Sequence, residues 1–396
     1  MTVYIIGTGT DGAGTLTRDA QAAIDRARLL IGAGRMLAPY ENQGRQTRCL
    51  YQAEQIAQAL RESDADPAAV LLSGDIGFFS GARRLLPLLG GMEVHCIPGI
   101  SSAAGFCARL GISYEDMHFV SLHGREAAVA LPVRTHARCF FLLGGEMTAG
   151  AVCRRLCQFG LAEVTVHIGE RLGYADESCR SGTAAEFRDD EGDRLAVLVT
   201  ENPAYLPYLP TSIPDAAFLR GSIPMTKSVV RGAAVSALQI GQNAVCWDIG
   251  CGTGSVSVEM AYRCPAGTVH AFDRNPDAVR LTRDNAERFS CDNILVSEGI
   301  CPDILAAAPA PDCVFVGGSA GAMPEIFRCI HAKNPAARIA VTAVSLETLH
   351  EAAACFSRFH AECEITQIAV TQTRRIGSHT MMQAENPVFL IHGRLS

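Results

Sequence analysis

The stretch Ala244-Val245-Cys246-Trp247-Asp248-Ile249-Gly250-Cys251-Gly252-Thr253-Gly254 decides the fold of the half of the chain that carries it. An apolar run ends in an acid, three glycines follow at alternate positions, and Val256, Val258, Met260 and Ala261 then begin a helical pattern. Glycines between a strand and a helix let the backbone turn sharply and let a ligand come close to the main chain. The spacing is G-x-G-x-G, not the G-x-G-x-x-G of dinucleotide folds. A pyrophosphate seeks bare amides at a helix start. Asp248, two residues before the first glycine, repels such a group and attracts an ammonium group instead. A second strand, Thr268-Val269-His270-Ala271-Phe272, ends at Asp273, nineteen residues past Gly254. A carboxylate there suits both hydroxyls of a ribose. Ribose and ammonium without pyrophosphate describe S-adenosylmethionine. An NAD-binding or purely structural unit is the alternative, disfavoured because Asp248, the glycine spacing and Asp273 occur together.

Outward from this loop, apolar runs recur at Ala244 to Ile249, Val269 to Phe272, Ile294 to Ser297, Cys313 to Val316, Ile339 to Ala343, Ile365 to Val370 and Val388 to Ile391. Five βα units ending in two strands without a long helix between them predict a seven-stranded sheet with an antiparallel hairpin at its edge. Upstream, Asn202 to Pro214 holds four prolines in thirteen residues, which prevents a long helix and marks a boundary. Before it, short apolar runs at Val3 to Ile6, Val70 to Leu72, Val94 to Ile97, Phe119 to Ser121, Cys139 to Leu143, Val164 to Ile168 and Leu195 to Val199 alternate with helical stretches. They predict a mostly parallel sheet flanked by helices. The domains expected are 1–205, in lobes of about 1–112 and 113–205, a Pro-rich linker over 206–220, and 221–396. Two domains also suit 396 residues, more than one core usually serves.

A formal charge of −7 disfavours a phosphate-tracking surface, so nucleic acid is not an expected partner. Of 34 basic residues only Lys227 and Lys333 are lysines, and the arginines suit bidentate recognition of carboxylates; GC-rich codon usage is the plainer explanation. Sixteen cysteines scattered without a Cys-x-x-Cys pair read as reduced thiols. Cys153 and Cys157 lack companions for a ligand set, so no metal is expected. The amino terminus reads as a buried strand, not a leader, and no apolar run approaches twenty residues. A cytoplasmic protein that spans no membrane is expected; a homo-oligomer is compatible with the sequence.

Around the glycine loop stand further motifs in order: Met225-Thr226-Lys227, Asp273-Arg274-Asn275-Pro276, Val316-Gly317-Gly318-Ser319 and Gly377-Ser378-His379-Thr380-Met381-Met382. With Asp248 to Gly254 they resemble the decarboxylating precorrin C15-methyltransferases of cobalamin biosynthesis, over about residues 215 to 396. The resemblance implies a Rossmann-like S-adenosylmethionine fold. It also implies that Thr226, Asp248, Gly250, Cys251, Gly252, Thr253 and Gly254 contact the cofactor and that Asp273 holds its ribose. The acid usual after the next strand is absent, and Ile300 and Cys301 stand where an adenine contact would come from the backbone. Val229 replaces a glutamate usual in the family, while Arg231 is kept. Lys227, Arg231 and His379 are the candidates for substrate contact and catalysis; solvated helix-start charges and a strand-edge histidine are the plainer readings of the same residues.

The amino-terminal Gly7-Thr8-Gly9-Thr10-Asp11-Gly12-Ala13-Gly14 is by itself a weak signal. Followed by Leu72-Ser73-Gly74-Asp75-Ile76-Gly77-Phe78-Phe79-Ser80 and Ile97-Pro98-Gly99-Ile100-Ser101-Ser102-Ala103, it resembles the tetrapyrrole methylases, specifically the C5-methylating part of the same precorrin family. That resemblance implies two α/β lobes with S-adenosylmethionine between them. Thr8, Asp75, Phe78, Ser101, Ser102 and Leu143 are the matched positions; capping roles compete for Asp75, Ser101 and Ser102. Together the two resemblances imply methylation of a polycarboxylated tetrapyrrole at C5 by the first domain. The second would methylate C15 and remove carbon dioxide from the ring C acetate, with one S-adenosylmethionine per domain. Alignment of a carbon nucleophile with a methyl group requires few proton-transfer residues, which accords with the lack of a Ser-His-Asp set. Arg125, Arg171, Arg374 and Arg375 are expected to offset substrate carboxylates, and Arg83 and Arg84 are as well read as a surface pair. The alternatives are a methyltransferase for another tetrapyrrole intermediate and an inactive S-adenosylmethionine-binding scaffold, the latter suggested by Val229 and Ile300.

Overall fold

The computed structural model describes every residue except 12, 13, 42, 43, 125, 126 and 396. It divides into two compact units. One comprises residues 1–125, 138–153 and 164–201, the other 126–137, 154–163 and 202–396.

The first unit holds two five-stranded sheets. Its first sheet is wholly parallel, built from β1 (Thr2–Gly7), β2 (Leu29–Gly32), β3 (Gln46–Cys49), β4 (Ala68–Leu72) and β5 (Glu93–Ile97) in the order β3-β2-β4-β1-β5. Val3, Ile5 and Ile6 of β1 are fully buried, because helices cover both faces of a parallel sheet. The second sheet contains β6 (His118–Ser121), β7 (Arg138–Leu142), β8 (Thr165–Glu170), β9 (Ser178–Thr183) and β10 (Ala196–Glu201), in the order β6-β7-β10-β8-β9. Here only β6 and β7 are parallel; β10 lies antiparallel between β7 and β8, and β8 pairs antiparallel with β9. The mostly parallel expectation therefore holds for the first lobe and not for the second. A seven-residue turn, 171–177, joins β8 to β9, too short for the crossover that parallel strands require.

In the second unit, β11 (Val245–Ile249), β12 (Thr268–Asp273), β13 (Ile294–Glu298), β14 (Cys313–Val316) and β15 (Arg338–Ala343) are parallel. Next along the chain come β16 (Cys363–Ile368), β17 (Thr371–Ile376), β18 (His379–Ala384) and β19 (Val388–Arg394). The seven-stranded order is β13-β12-β11-β14-β15-β19-β16, with β19 antiparallel to both its neighbours. β17 and β18 form a separate exposed ribbon that carries the Gly377 to Met382 motif. The polar alternation of these two strands resembles a loop in sequence, and the ribbon was not among the expected elements.

The Pro-rich stretch is no free tether within this unit. Ile213 and Phe218 join its core, the Ile213 amide donates to Glu259 Oε1 at 2.9 Å, and the Leu219 amide to Asn285 Oδ1 at 2.8 Å.

Candidate functional site

The switch point of the second unit's sheet lies where β11 separates the β12 side from the β14 side, and ligands of open α/β sheets bind there. Gly250, Gly252 and Gly254 all adopt left-handed backbone angles, with φ of 73°, 57° and 71°. A Cβ on Gly250 would stand 2.8 Å from both the amide nitrogen and the carbonyl oxygen of Gly318, so the two loops close on each other through bare backbone. From beneath, helix Pro276–Arg288 holds the loop. Thr282 Oγ1 donates to the Gly252 carbonyl at 3.1 Å and Asn285 Nδ2 to that of Thr253 at 2.8 Å.

A cavity of about 960 Å³ opens over this loop. Thr226, Lys227, Asp248, Gly250, Cys251, Gly252, Thr253, Asp273, Ile300 and Cys301 are on its wall, as are Gly317, Gly318 and Ser319. Gly254 forms the helix start behind the loop. Asp273 takes the Gly252 amide at 3.0 Å on Oδ2 and the Asn275 amide at 2.9 Å on Oδ1. Each oxygen keeps a lone pair for a further donor. Asp248 is fully buried. Its Oδ2 accepts from Ser257 Oγ, and its Oδ1 has no partner among the described residues. Burial drives its carboxyl from the ordinary 3.8 up to about 7, against the pull of the Ser257 bonds. A buried acceptor left open at a cavity wall fits a cationic ligand group, since an unsatisfied buried polar atom otherwise costs about 1–3 kcal/mol.

The three catalytic candidates separate. Lys227 lies on the wall, its Nζ 3.8 Å from Asp215 Oδ2. Arg231 does not reach the cavity, which corrects the expectation of substrate contact. It is fully buried, donates from Nε to Glu259 Oε1 at 2.6 Å and from Nη1 to the Thr226 carbonyl at 2.6 Å, and also bonds Asp215 and the Ile213 carbonyl. Its guanidinium is spent on Glu259 and on the segment 213–226. His379 is exposed on the ribbon and off the wall; Gln383 and Ala384, at the other end of β18, line it. Arg374 and Arg375 are likewise exposed and off the wall, as is Val229. Glu259, Ser257, Gln383 and Glu385 are additions that no motif announced; Glu259 could have been suspected only as an acid on an otherwise apolar helix.

The first unit has its own cavity, of about 430 Å³, lined by both its sheets. Asp75, Phe78, Ser102 and Leu143 are on its wall beside Gly9 and Gly74. Asp75 is both wall and clamp, with Oδ1 accepting the Gly77 amide at 2.8 Å and Oδ2 the Gly99 amide at 3.0 Å. Thr8 and Ser101 stand behind the wall. Thr8 is buried and its Oγ1 donates to the Leu72 carbonyl at 3.2 Å; Ser101 caps helix Ser102–Leu110 by accepting the Ala104 amide at 3.0 Å. Gly7 and Gly99 meet so closely that a Cβ on Gly99 would lie 2.4 Å from the Gly74 carbonyl and 2.5 Å from that of Gly7. Arg171 is engaged by Asp176 at 2.6 Å and is not on the wall, and Arg125, with Gly12 and Ala13, lies outside the described residues. Among the described residues no three His, Cys, Asp or Glu side chains gather as a metal set, and no helix is long and apolar enough to cross a membrane.

Comparison with known families separates the same two halves. Residues 2–188 match the tetrapyrrole (corrin/porphyrin) methylases, and residues 194–393 match the precorrin methyltransferase domain. A probable cobalt-precorrin-6B C(15)-methyltransferase (decarboxylating) of Pyrobaculum calidifontis is 39% identical over 188 residues, spanning 47% of this chain and 96% of that protein. The precorrin-6Y C(5,15)-methyltransferase [decarboxylating] of Mycobacterium tuberculosis is 28% identical over 366 residues, which is 91% of this chain and 92% of that protein. A protein of the same description from Sinorhizobium is 28% identical over 351 residues, 87% of this chain and 84% of that one. A tetrapyrrole methylase followed in one chain by a precorrin methyltransferase domain, each with its own glycine-lined cavity, means that this chain belongs to the decarboxylating precorrin-6Y C5,15-methyltransferase family of methyltransferases.

Proposed function

We propose that the chain methylates precorrin-6Y at C5 in its tetrapyrrole methylase domain and at C15 in its second domain. The second domain also removes carbon dioxide from the ring C acetate, and the product is precorrin-8. The observation that carries this reading is the pair of separate cavities, one in each unit, each against a glycine-rich turn at the carboxyl ends of a parallel sheet. Residues 1–205 would form the first domain, 206–220 the joining strap and 221–396 a Rossmann-like second domain; the strand order of the seven-stranded sheet supports that last assignment.

S-adenosylmethionine, when bound, supplies an electrophilic methyl group on a sulfonium sulfur. In the second domain Asp248 would take the ammonium end, Asp273 the ribose hydroxyls, and the backbone at Gly250 to Gly254 the close approach. Cys301 and the exposed Ile300 flank the place for the adenine. In the first domain Phe78, Leu143 and the close backbone approach at Gly9 and Gly74 would hold the second molecule. The chain's part in methyl transfer is then positional: it fixes two reactants against a desolvated wall, and alignment of this kind is worth several kcal/mol of barrier. For decarboxylation Lys227 is the candidate the geometry keeps. Its ammonium group, loosely held by Asp215, can orient an acetate carboxylate while the macrocycle's conjugated imines accept the electron pair.

Calorimetric titration of S-adenosylhomocysteine into the full chain should give two binding events. Turnover of precorrin-6Y should give a product heavier by two methyl groups and lighter by carbon dioxide. Binding without any mass change would instead identify a scaffold.

A further inference from the structure

Two arginines on the wall of the first unit's cavity have no role in the capping and glycine motifs. Arg35 follows β2, and Arg194 comes from the turn leading into β10. Arg35 donates from Nη2 to Ser73 Oγ at 3.0 Å and reaches the Tyr174 hydroxyl from Nη1 at 3.5 Å. Both partners are neutral, so they fix the guanidinium without cancelling its charge. Among the described residues neither Arg35 nor Arg194 forms an ion pair, whereas Arg109, Arg171 and Arg180 nearby each hold a carboxylate. Asp75 is the one acid on that wall among the described residues; it accepts the Gly77 and Gly99 amides, and the two arginines outnumber it. The cavity thus joins an apolar lining, Leu72, Phe78 and Leu143, to two arginines and a single acid, a wall of net positive charge in a chain whose formal charge is −7.

An apolar lining with guanidinium forks beside it is the complement of a ring system bearing carboxylate side chains. A cofactor with a single carboxylate can occupy only one such fork. We infer that Arg35 and Arg194 receive carboxylates of the tetrapyrrole and so select a polycarboxylated macrocycle for the first domain. This rests on the function proposed above for that cavity.

The test uses the full chain and two probes, uroporphyrin as a stable octacarboxylate macrocycle and S-adenosylhomocysteine as the cofactor's carboxylate-bearing frame. Porphyrin affinity is read by fluorescence and the second probe by calorimetry. R35Q and R194Q should each weaken uroporphyrin binding about tenfold, the loss of one charge-assisted contact. S-adenosylhomocysteine affinity should stay within about twofold, and R35K should recover part of the loss. Unchanged uroporphyrin binding in the double variant overturns the inference. So does a loss confined to S-adenosylhomocysteine, which would mean that the forks hold the cofactor. Turnover of precorrin-6Y by the unaltered chain is measured separately. Arginine-dependent porphyrin binding without turnover supports this inference while refuting the proposed function, and turnover with arginine-independent binding does the reverse.

Discussion

Arg231 and Glu259 meet Nε to Oε1 at 2.6 Å with both side chains withdrawn from water, and the Phe218 ring lies under the guanidinium, 4.8 Å from ring centre to Cζ. The pair ties helix Ser255–Arg263, which starts at the glycine loop, to the 213–226 strap that supplies Thr226 to the cavity. Removing Glu259 leaves the buried guanidinium with Asp215 alone, at 3.2 Å, a change that costs up to about 3–5 kcal/mol. Glu259→Gln is therefore expected to lower the stability of the second unit by that order and to weaken cofactor binding there. Trp247, the sole tryptophan, is buried in that unit, so its fluorescence during urea unfolding reports this loss without interference from the first.

Asp248 makes stability depend on pH in the direction opposite to a salt-bridged acid. Its carboxyl is raised from 3.8 to about 7 by burial, so between those values the folded chain binds a proton that the unfolded chain has released. Its contribution is full below about 4 and is lost as pH rises through 7, a change of a few kcal/mol. Asp248→Asn should flatten this part of the profile of the ligand-free protein. A bound ammonium group favours the carboxylate, so cofactor binding at pH 6 should release a proton, seen as a dependence of the calorimetric heat on the buffer's ionisation enthalpy. A buffer-independent heat would count against Asp248 as the ammonium partner.

Gly250→Ala places a methyl group 2.8 Å from two backbone atoms of Gly318, and neither can move without opening the sheet's switch point. Its residue also has a left-handed φ of 73°, which alanine resists. C15 methylation and decarboxylation should fall together by about 100-fold or more, the scale of a misplaced reactant. C5 methylation should continue, so the product of this variant should be heavier by one methyl group with its acetate intact.

Asp75→Ala is the counterpart in the first unit. Two backbone amides lose their acceptor, for about 1–3 kcal/mol each if they stay dry, and the loop between β4 and Gly81 loosens. C5 methylation should be lost while the C15 reaction and carbon dioxide release persist, as checked by product mass. Loss of both reactions would show that the Asp75 turn matters beyond its own cavity.

Much of the second unit could be read directly, because its decisive residues are local. Asp248, Gly250, Gly252 and Asp273 sit at strand ends in one short segment, and the structure brings them to one wall. The side chains that hold this wall up were harder to see. Arg231 and Glu259 are 28 residues apart, and nothing in spacing distinguishes a buried ion pair from two surface charges. The β17–β18 ribbon has no signature in the sequence because its strands are exposed on both faces and so lack the apolar alternation that marks a strand. In the first unit Asp75 and Phe78 are legible as motif, whereas Arg35 and Arg194, 159 positions apart, share a wall only because the two sheets fold against one cavity.

The contact of Gly7, Gly74 and Gly99 divides that first cavity into a part that cannot vary and a part that can. Behind its wall the packing is main chain against main chain, so a side chain at Gly7 or Gly99 cannot be seated without moving backbone, yet this packing says nothing about which guest is admitted. Choice of guest is left to side chains on separate loops, such as Arg35 and Arg194. A lineage could exchange these one at a time and acquire a different tetrapyrrole without ever passing through an unfolded intermediate.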